Sequence, residues 1–155
     1  MTEIRTQVEL RVDFDFRGGD PVELEHAIAS EGRRAARELY ELVLQFADEA
    51  SASNSGGIRQ RREPRWLTTL VGRLRISRYR IRVENNSVHP LDQLMGFSRA
   101  EASAAVRKLV LELSRRFSYR EIAGLVTELT GEPFSYQQVA RLVRDEKQQH
   151  AGGQI

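Results

Sequence analysis

The stretch FSYREIAGLVTELTGEPFSYQQVARLV, residues 117–143, contains two copies of a pattern that specifies the start of a helix. Ser118 is followed three residues later by Glu121, and Ser135 by Gln138, which is the spacing of a capping box. A phenylalanine precedes each serine, and an aliphatic residue stands at the fourth helical position, as in a hydrophobic staple. The repeat therefore predicts two consecutive helices and does not require a duplicated domain.

The two helices are predicted over 119–130 and 136–147. Gly131 favours the left-handed conformation that ends a helix, and Pro133 prevents the helix from continuing. A short turn therefore connects them.

A third, looser copy, FSRAEASAAV at 97–106, predicts a preceding helix over 99–116 with a capping box of Ser98 and Glu101. Three short helices with a turn between the last two are typical of a helix-turn-helix domain, whose third helix enters the major groove of DNA. A plain three-helix bundle is the alternative interpretation.

The two close copies differ at positions that favour contact between the last helix and DNA. Glutamine replaces glutamate in the capping box, which keeps the capping bond without a charge that repels phosphates. Glutamine can read adenine and arginine can read guanine through paired hydrogen bonds. The predicted base-reading residues are Gln137, Gln138, Arg141 and Arg144.

Other side chains around these helices suit the DNA backbone, because cations and hydroxyl groups commonly bind phosphate oxygens. The predicted backbone contacts here are Arg115, Arg116, Tyr119, Arg120, Ser135, Tyr136 and Lys147.

Charge is unevenly distributed along the 155 residues, although the net charge is only +2. Residues 1–56 carry 12 acidic and 6 basic groups, residues 57–82 carry 9 arginines and one glutamate, and residues 83–155 carry 9 of each sign. A concentrated basic block in a nearly neutral chain indicates a site for a polyanion.

Within this block, residues 66–70 and 73–83 have the pattern of two antiparallel strands, with Gly72 in the turn of a hairpin. The apolar positions of the second strand change from even to odd numbers near Ser77, and a β-bulge there would restore one apolar face. The other face would then carry five arginines, which we predict to contact phosphates, with a solvated sheet face as the alternative. These five are Arg73, Arg75, Arg78, Arg80 and Arg82.

Before the hairpin, SASNSGG at 51–57 predicts a flexible linker because of its serine and glycine content. Arg59, Arg61 and Arg62 follow in this linker region and add to the predicted basic site.

The N-terminal part predicts a strand and a long helix. In residues 4–16 every even position is apolar or threonine and every odd position is polar, which is the two-residue period of a half-buried strand. Asp20 and Glu23 have capping-box spacing with Pro21 at the first helical position, and apolar residues at helical spacing reach about residue 50. Such a helix either spans the back of a sheet or packs on a partner chain.

The predicted fold class is therefore α+β, with the strand, long helix and basic hairpin in residues 1–90 and the helix-turn-helix domain in residues 91–155. The sequence contains no cysteine, no signal peptide and no apolar run of membrane-spanning length, which predicts a cytoplasmic protein without membrane contact. The three histidines lie far apart, and no nucleophile or phosphate-loop motif occurs, so we expect no metal, no cofactor and no enzymatic activity.

The order of motifs resembles the N-terminal part of bacterial insertion-sequence transposases of the ISKra/ISLre type, over residues 59–146. The motifs are RWLTTLVGRLRISRYRIRV, then HPLDQLMGFS, then the helix pair with SYRE, LTG and a later serine and valine. In that family this region is taken to bind transposon ends, and it precedes an RNase H-like catalytic domain. The resemblance implies a bacterial, nucleoid-associated protein that binds double-stranded DNA and derives from a transposon.

Two departures from that family pattern qualify what the resemblance implies. Many relatives carry a Cys-x-x-Cys pair where this sequence has RIRVENNSVHP, so no zinc knuckle is expected. The sequence ends 11 residues after Arg144, which leaves no room for a catalytic domain, so we expect a regulator or recognition subunit.

Two other functions remain open at this point. The acidic N-terminal half can form an assembly module that dimerises or joins a larger complex, and helix-turn-helix proteins often bind DNA as dimers. The basic hairpin can bind RNA, but single-strand readers use exposed aromatic residues, and both Trp66 and Tyr79 are predicted to be core residues.

Overall fold

The chain forms a mixed α+β fold, which confirms the predicted class. A computed structural model describes residues 5–97 and 99–152, and in these ranges it contains five helices and one three-stranded antiparallel sheet in the order β1-β2-β3. The elements are α1 (Pro21–Asn54), β1 (Ile58–Thr69), β2 (Gly72–Val83), β3 (Asn86–Val88), α2 (Pro90–Met95), α3 (Ala104–Leu113), α4 (Tyr119–Thr130) and α5 (Tyr136–Gly152).

Helix α1 begins where the sequence predicts. The Asp20 carboxylate accepts a hydrogen bond from the Val22 N–H at 2.9 Å, so the capping bond goes to Val22 rather than to Glu23, and Pro21 follows the cap.

The predicted flexible linker at 51–57 is wrong, because α1 continues to Asn54. Ala52 is buried, and the Ser55 hydroxyl donates to the Ala52 carbonyl at 2.8 Å. The serines of this segment therefore complete and end the helix, and only the two glycines after them connect it to β1.

The predicted N-terminal strand is also wrong over the part that the structure describes. Residues 5–20 belong to no strand, and Ile4 lies outside the described residues. The alternation is still visible, because the rings of Phe14 and Phe16 stack with their centroids 6.4 Å apart. A strand also needs a neighbour for its N–H and C=O groups, and the other strands of the described chain do not pair with this segment.

The hairpin prediction is confirmed, with a longer first strand than expected. Thr69 lies opposite Gly72 across a two-residue turn, and Gly72 has a φ of 117°, which favours glycine. The Thr69 hydroxyl donates to the Gly72 carbonyl at 2.8 Å. Strand β1 begins at Ile58, so Arg59, Arg61 and Arg62 lie on a strand and not in a linker.

The predicted β-bulge near Ser77 is wrong. Pairing between β1 and β2 is one-to-one from Thr69–Gly72 to Arg61–Arg80, and the register shifts instead between Arg59 and Arg61. Since side chains alternate along a strand, the five arginines divide between two faces. Arg73 and Arg75 share one face, and Arg78, Arg80 and Arg82 share the other.

The change of apolar phase in β2 has a tertiary cause. Ile76 lies in a buried cluster with Leu44 of α1 and Leu91 of α2. Ile81 lies five residues later on the opposite face of β2. It is buried, and its side chain lies against the backbone of Gly57, just before β1. Each end of the hairpin is therefore covered on a different face, and no extra residue in β2 is needed.

The buried side chains form two clusters. One joins α1, β2 and α2 through Leu44, Ala47, Leu74, Ile76 and Leu91. The other joins α3, α4 and α5 and includes Val106, Val110, Ile122, Ala123, Val126, Phe134, Val139, Leu142 and Val143. Helix α2 thus packs with α1 and the hairpin.

Helix α3 starts at Ala104, so the predicted start at residue 99 is wrong, and Ser98 lies outside the described residues. The backbone before it pairs with the hairpin: the Thr68 N–H donates to the Glu101 carbonyl at 2.8 Å, and the Ser103 N–H to the Thr68 carbonyl at 2.9 Å. Ser103 instead caps the helix, which ends at Leu113 rather than at 116.

Helices α4 and α5 start where their capping boxes predict. Ser118 and Glu121 form both bonds of the box, and Gly131, with a φ of 73°, ends α4. Donation from the Ser118 hydroxyl and N–H lowers the pKa of Glu121. Helix α5 runs to Gly152, beyond the predicted end at 147.

The buried Asp48 side chain joins α1 to the edge of β2. Its two carboxylate oxygens accept from the Tyr79 N–H at 3.0 and 3.2 Å, just past the residues of β2 that pair with β3. Arg62 lies 3.4 Å from the same carboxylate. Burial raises the pKa of Asp48, although the hydrogen bond from Tyr79 and the charge of Arg62 oppose the shift.

We expect Asp48→Ala to lower the free energy of unfolding by about 1–3 kcal/mol, because the part-buried Tyr79 N–H loses its acceptor. Asp48→Asn keeps an acceptor oxygen without the buried charge and should cost less. Urea denaturation of both variants measures the difference. Equal losses for the two variants would contradict this role of Asp48.

Candidate nucleic-acid interface

Helix α5 divides into a buried and an exposed face. Val139, Leu142 and Val143 are buried in the helical cluster. Gln137, Arg141 and Arg144 are exposed, and their spacing of four and three residues places them along one side of the helix. The structure therefore brings three of the four predicted base-reading residues into one exposed row.

The fourth predicted reader, Gln138, takes part in the helix start. The Ser135 N–H donates to Gln138 Oε1 at 2.7 Å, and the Gln138 N–H donates to Ser135 Oγ at 3.2 Å. Reading adenine through two hydrogen bonds needs both the oxygen and the nitrogen of a glutamine amide. Because the Gln138 oxygen is engaged in the cap, Gln137 is the better placed glutamine for that contact.

The start of α4 lies beside the start of α5. Arg120 places its guanidinium carbon 5.8 Å from the centroid of the Tyr136 ring. Arg115, Arg116 and Tyr119, in the turn before α4 and at its first residue, are exposed. Of the predicted backbone-contacting residues, Arg120 and Tyr136 therefore lie together at the N-terminal end of α5. Lys147 lies eleven residues further along the same helix.

The hairpin arginines differ from the helical ones in their ion pairs. Within the described residues, Arg115, Arg116, Arg120, Arg141, Arg144 and Lys147 form no ion pair with a carboxylate. Seven of the nine hairpin arginines do, with N–O distances of 2.6–3.4 Å; these are Arg59, Arg61, Arg62, Arg65, Arg73, Arg78 and Arg80. Most arginines of the basic block therefore have a carboxylate partner within the described chain.

Glu63 is the centre of one such group. It lies 2.9 Å from Arg61, 3.2 Å from Arg80 and 2.9 Å from His89. Hydrogen bonds from Arg61, His89 and Arg80 lower the pKa of Glu63 to about 2. Its carboxylate is therefore ionised throughout the physiological range, and it balances charge on both strands of the hairpin.

Asp92 of α2 is the centre of a second group, 3.0 Å from Arg65 and 2.9 Å from Arg78. Only 11% of the Arg78 side chain is exposed. A phosphate group cannot reach a guanidinium so enclosed without displacing Asp92, so Arg78 is poorly placed for the predicted backbone contact.

Glu49 of α1 forms a third group with Arg59 at 3.2 Å and Arg62 at 2.6 Å. Both guanidinium groups also lie over the ring of Tyr79, 4.6 and 4.1 Å from its centroid, and the Tyr79 hydroxyl donates to Glu49 at 3.1 Å. The three arginines predicted in the linker, Arg59, Arg61 and Arg62, therefore form ion pairs with carboxylates of α1 and β1.

Trp66 is exposed, so its prediction as a core residue is wrong. The guanidinium groups of Arg73 and Arg75 lie over the Trp66 ring, with their central carbons 4.6 and 6.0 Å from its centroid. Arg73 pairs with Glu101 at 3.4 Å, whereas Arg75 and Arg82 are exposed and form no ion pair within the described chain. These two remain the available cations of the hairpin, one on each face.

No known family model matches the sequence, and a comparison with curated proteins finds no match. The likeness to transposases therefore rests on the motifs alone. In residues 5–97 and 99–152, no three metal-ligating side chains of histidine, aspartate or glutamate lie together in a site for an ion. None of the helices there has the length and apolar character needed to span a membrane.

We expect Glu63→Gln to remove a pH-dependent part of the stability. The folded pKa of about 2 lies below the usual 4.5, so the ionised carboxylate stabilises the fold above pH 4.5, and this contribution is lost as the pH falls towards 2. The difference in free energy of unfolding between wild type and variant should be constant above about pH 5 and shrink below it.

Urea denaturation at a series of pH values tests this expectation. Glu128→Gln is the matched control, since Glu128 is exposed on α4 and has no ion pair in the described chain. A Glu63→Gln difference that stays constant down to pH 2 would contradict the assignment.

Proposed function

We propose that this chain is a non-catalytic DNA-binding protein that places α5 in the major groove of double-stranded DNA. The observation that supports this most is the exposed row of Gln137, Arg141 and Arg144, whose arginines have no carboxylate partner in the described chain. Seven of the nine hairpin arginines pair with carboxylates, whereas the two arginines of α5 do not within the described residues, so these two are available to an external anion. DNA supplies that anion, and its major groove admits an α-helix.

The arrangement of the last three helices supports a helix-turn-helix interpretation. Helix α4 ends at Thr130, and α5 begins at Tyr136 after a five-residue connection. Residues of α3, α4 and α5 share one buried cluster, so α5 is held by its inner face while its outer face remains exposed. This is the geometry that a recognition helix needs.

The residues then divide by role. Gln137, Arg141 and Arg144 contact base edges, because they follow one another along the exposed side of α5. The backbone contacts come from Arg115, Arg116, Tyr119, Arg120, Tyr136 and Lys147. On the hairpin, Arg75 and Arg82 extend the backbone contact, and Arg73 can exchange its half-exposed partner Glu101 for a phosphate.

The resemblance of the sequence motifs to transposases suggests a role as a regulator or as the recognition subunit of a larger machine, with DNA cleavage carried out by another chain. The nucleoid of a bacterial cell is the corresponding location.

We expect Arg115→Ala/Arg116→Ala to weaken binding to all duplex sequences to a similar extent. Each lost phosphate contact should reduce the slope of log K against log salt concentration by about 1. Fluorescence anisotropy with a labelled random-sequence duplex, over a series of salt concentrations, measures both effects.

Arg17→Ala, compared with Arg115→Ala alone, is the charge-matched control, because Arg17 is a highly exposed arginine outside α3, α4 and α5. It should leave affinity and slope nearly unchanged. Arg73→Ala/Arg75→Ala should produce a smaller loss than the helical pair, since Arg73 is already neutralised. Absence of wild-type binding at low salt, or a flat salt dependence, would refute DNA binding.

We expect Arg141→Ala and Gln137→Ala to change sequence preference. Loss of a paired contact to a base should cost about 1–3 kcal/mol on the preferred duplex and relax the preference at one base position. Selection from a random duplex pool, followed by sequencing of the bound fraction, reads this out. Gln138→Glu, which preserves the capping acceptor, tests whether a charge at that position repels DNA. An unchanged preference in both alanine variants would contradict base reading by α5.

A second function, assembly with another protein chain, is favoured by the apolar residues of the N-terminal part. The buried residues of α1 are Leu44, Ala47, Asp48 and Ala52, all in its C-terminal half. In its N-terminal half, Val22 and Ile28 are 63% and 55% exposed. We propose that the N-terminal part of the chain, which includes the segment before α1 and this uncovered half of α1, mediates self-association, which is compatible with DNA binding as a dimer.

A further inference from the structure

Residues 6–17, called the N-terminal segment below, belong to no strand, and no backbone–backbone hydrogen bond links them to other parts of the described chain. The Arg11 carbonyl accepts a side-chain hydrogen bond from Arg34 at 3.4 Å. The other N–H and C=O groups of residues 6–17 are therefore available to water or to another strand.

The side chains of the segment have the pattern of a sheet with one apolar face. Thr6, Val8, Leu10, Val12, Phe14 and Phe16 occupy the even positions. Val12 is 50% exposed and Phe14 is 44% exposed. A second strand beside the segment would extend this face and satisfy the backbone, but the described chain does not provide one.

The charges on the odd positions identify a strand that fits. In an antiparallel pair of two identical segments, residues opposite each other share a face, so apolar residues meet apolar ones only if even positions face even positions. Pairing about a two-fold axis at Leu10 places Glu9 opposite Arg11, Gln7 opposite Asp13 and Arg5 opposite Asp15. On the apolar face it places Val8 opposite Val12 and Thr6 opposite Phe14.

Neighbouring registers lack this complementarity. An axis at Glu9 or at Arg11 places that charge opposite its own copy. An axis at Val8 sets Arg5 against Arg11, and an axis at Val12 sets Glu9 against Asp15. A parallel pair in register places every charge opposite an identical one. Since like charges directly opposite destabilise a pair, the axis at Leu10 is the best of these registers.

We propose that the N-terminal segments of two copies of this chain pair as antiparallel strands about a two-fold axis at Leu10. The interface is isologous, so each cross-strand pair occurs twice. This pairing gives a specific form to the assembly function proposed above and rests on it, and it is independent of DNA binding. It also accounts for a strand pattern that has no strand partner within the described chain.

Charge reversal with mixing tests the pairing. Glu9→Arg places arginines opposite Arg11 on both sides of the axis, and Arg11→Glu places glutamates opposite Glu9. Each variant alone should shift towards the chain mass of 17.7 kDa, whereas wild type should approach twice that mass. An equimolar mixture of the two variants restores opposite charges across the axis and should form heterodimers. Light scattering coupled to size exclusion measures these masses.

The matched control is Glu128→Arg, which changes the net charge as much as Glu9→Arg does, at an exposed position of α4 outside the N-terminal part of the chain. It should remain dimeric. A wild-type monomer at the highest soluble concentration would overturn both the pairing and the assembly function. A dimer that neither single reversal affects would retain the assembly function and overturn only the pairing.

Cysteine cross-linking tests the register, and the sequence contains no cysteine that would interfere. Leu10→Cys lies opposite its own copy, with Cα atoms about 4.5–5.5 Å apart, so it should form a disulfide-linked dimer on mild oxidation. Val8→Cys alone should not, because its copy lies four positions away, about 13 Å along the strand. A mixture of Val8→Cys and Val12→Cys should cross-link. Cross-linking of Val8→Cys alone, without Leu10→Cys, would overturn the axis.

Discussion

Most of the hairpin arginines pair with carboxylates, and most of these carboxylates come from other parts of the chain. Nine arginines lie in residues 57–82, against a single glutamate there. The carboxylates that pair with these arginines include Asp48 and Glu49 of α1, Glu63 of β1 and Asp92 of α2. Tyr79 adds two hydrogen bonds, because its N–H donates to Asp48 and its hydroxyl donates to Glu49. The positions of α1 and α2 against the sheet therefore depend on charge as well as on the apolar cluster between them.

This use of charge inside the molecule changes where an external polyanion is expected to bind. A block of arginines favours phosphate contact only if the cations remain available, and most of the hairpin arginines do not. The arginines of the α3–α4 turn and of α5 are fewer, but they are exposed and lack carboxylate partners in the described chain. The proposed interface consequently centres on α5, and the hairpin contributes mainly through Arg75 and Arg82.

The helical part was the most predictable part of the fold, since short-range interactions specify it. Ser118 with Glu121 and Ser135 with Gln138 satisfy the first N–H groups of their own helices, so both starts follow from neighbouring residues. The start of α3 was missed because Thr68, more than thirty residues earlier, pairs with residues 101 and 103. The N-terminal strand is predicted but does not form in the described residues, because a period of two predicts an apolar face and does not supply a neighbouring strand.

By itself, the sequence determined the α+β class, the hairpin with its glycine turn, the two C-terminal capping boxes and the side of α5 that carries Gln137, Arg141 and Arg144. These features depend on contacts within a few residues. Only the tertiary structure decided which arginines form ion pairs with carboxylates. It also decided which face of the hairpin is buried at each of its two ends. Both depend on side chains from distant segments, such as Asp48 beside Tyr79 and Asp92 beside Arg78, whose proximity results from packing and not from local sequence.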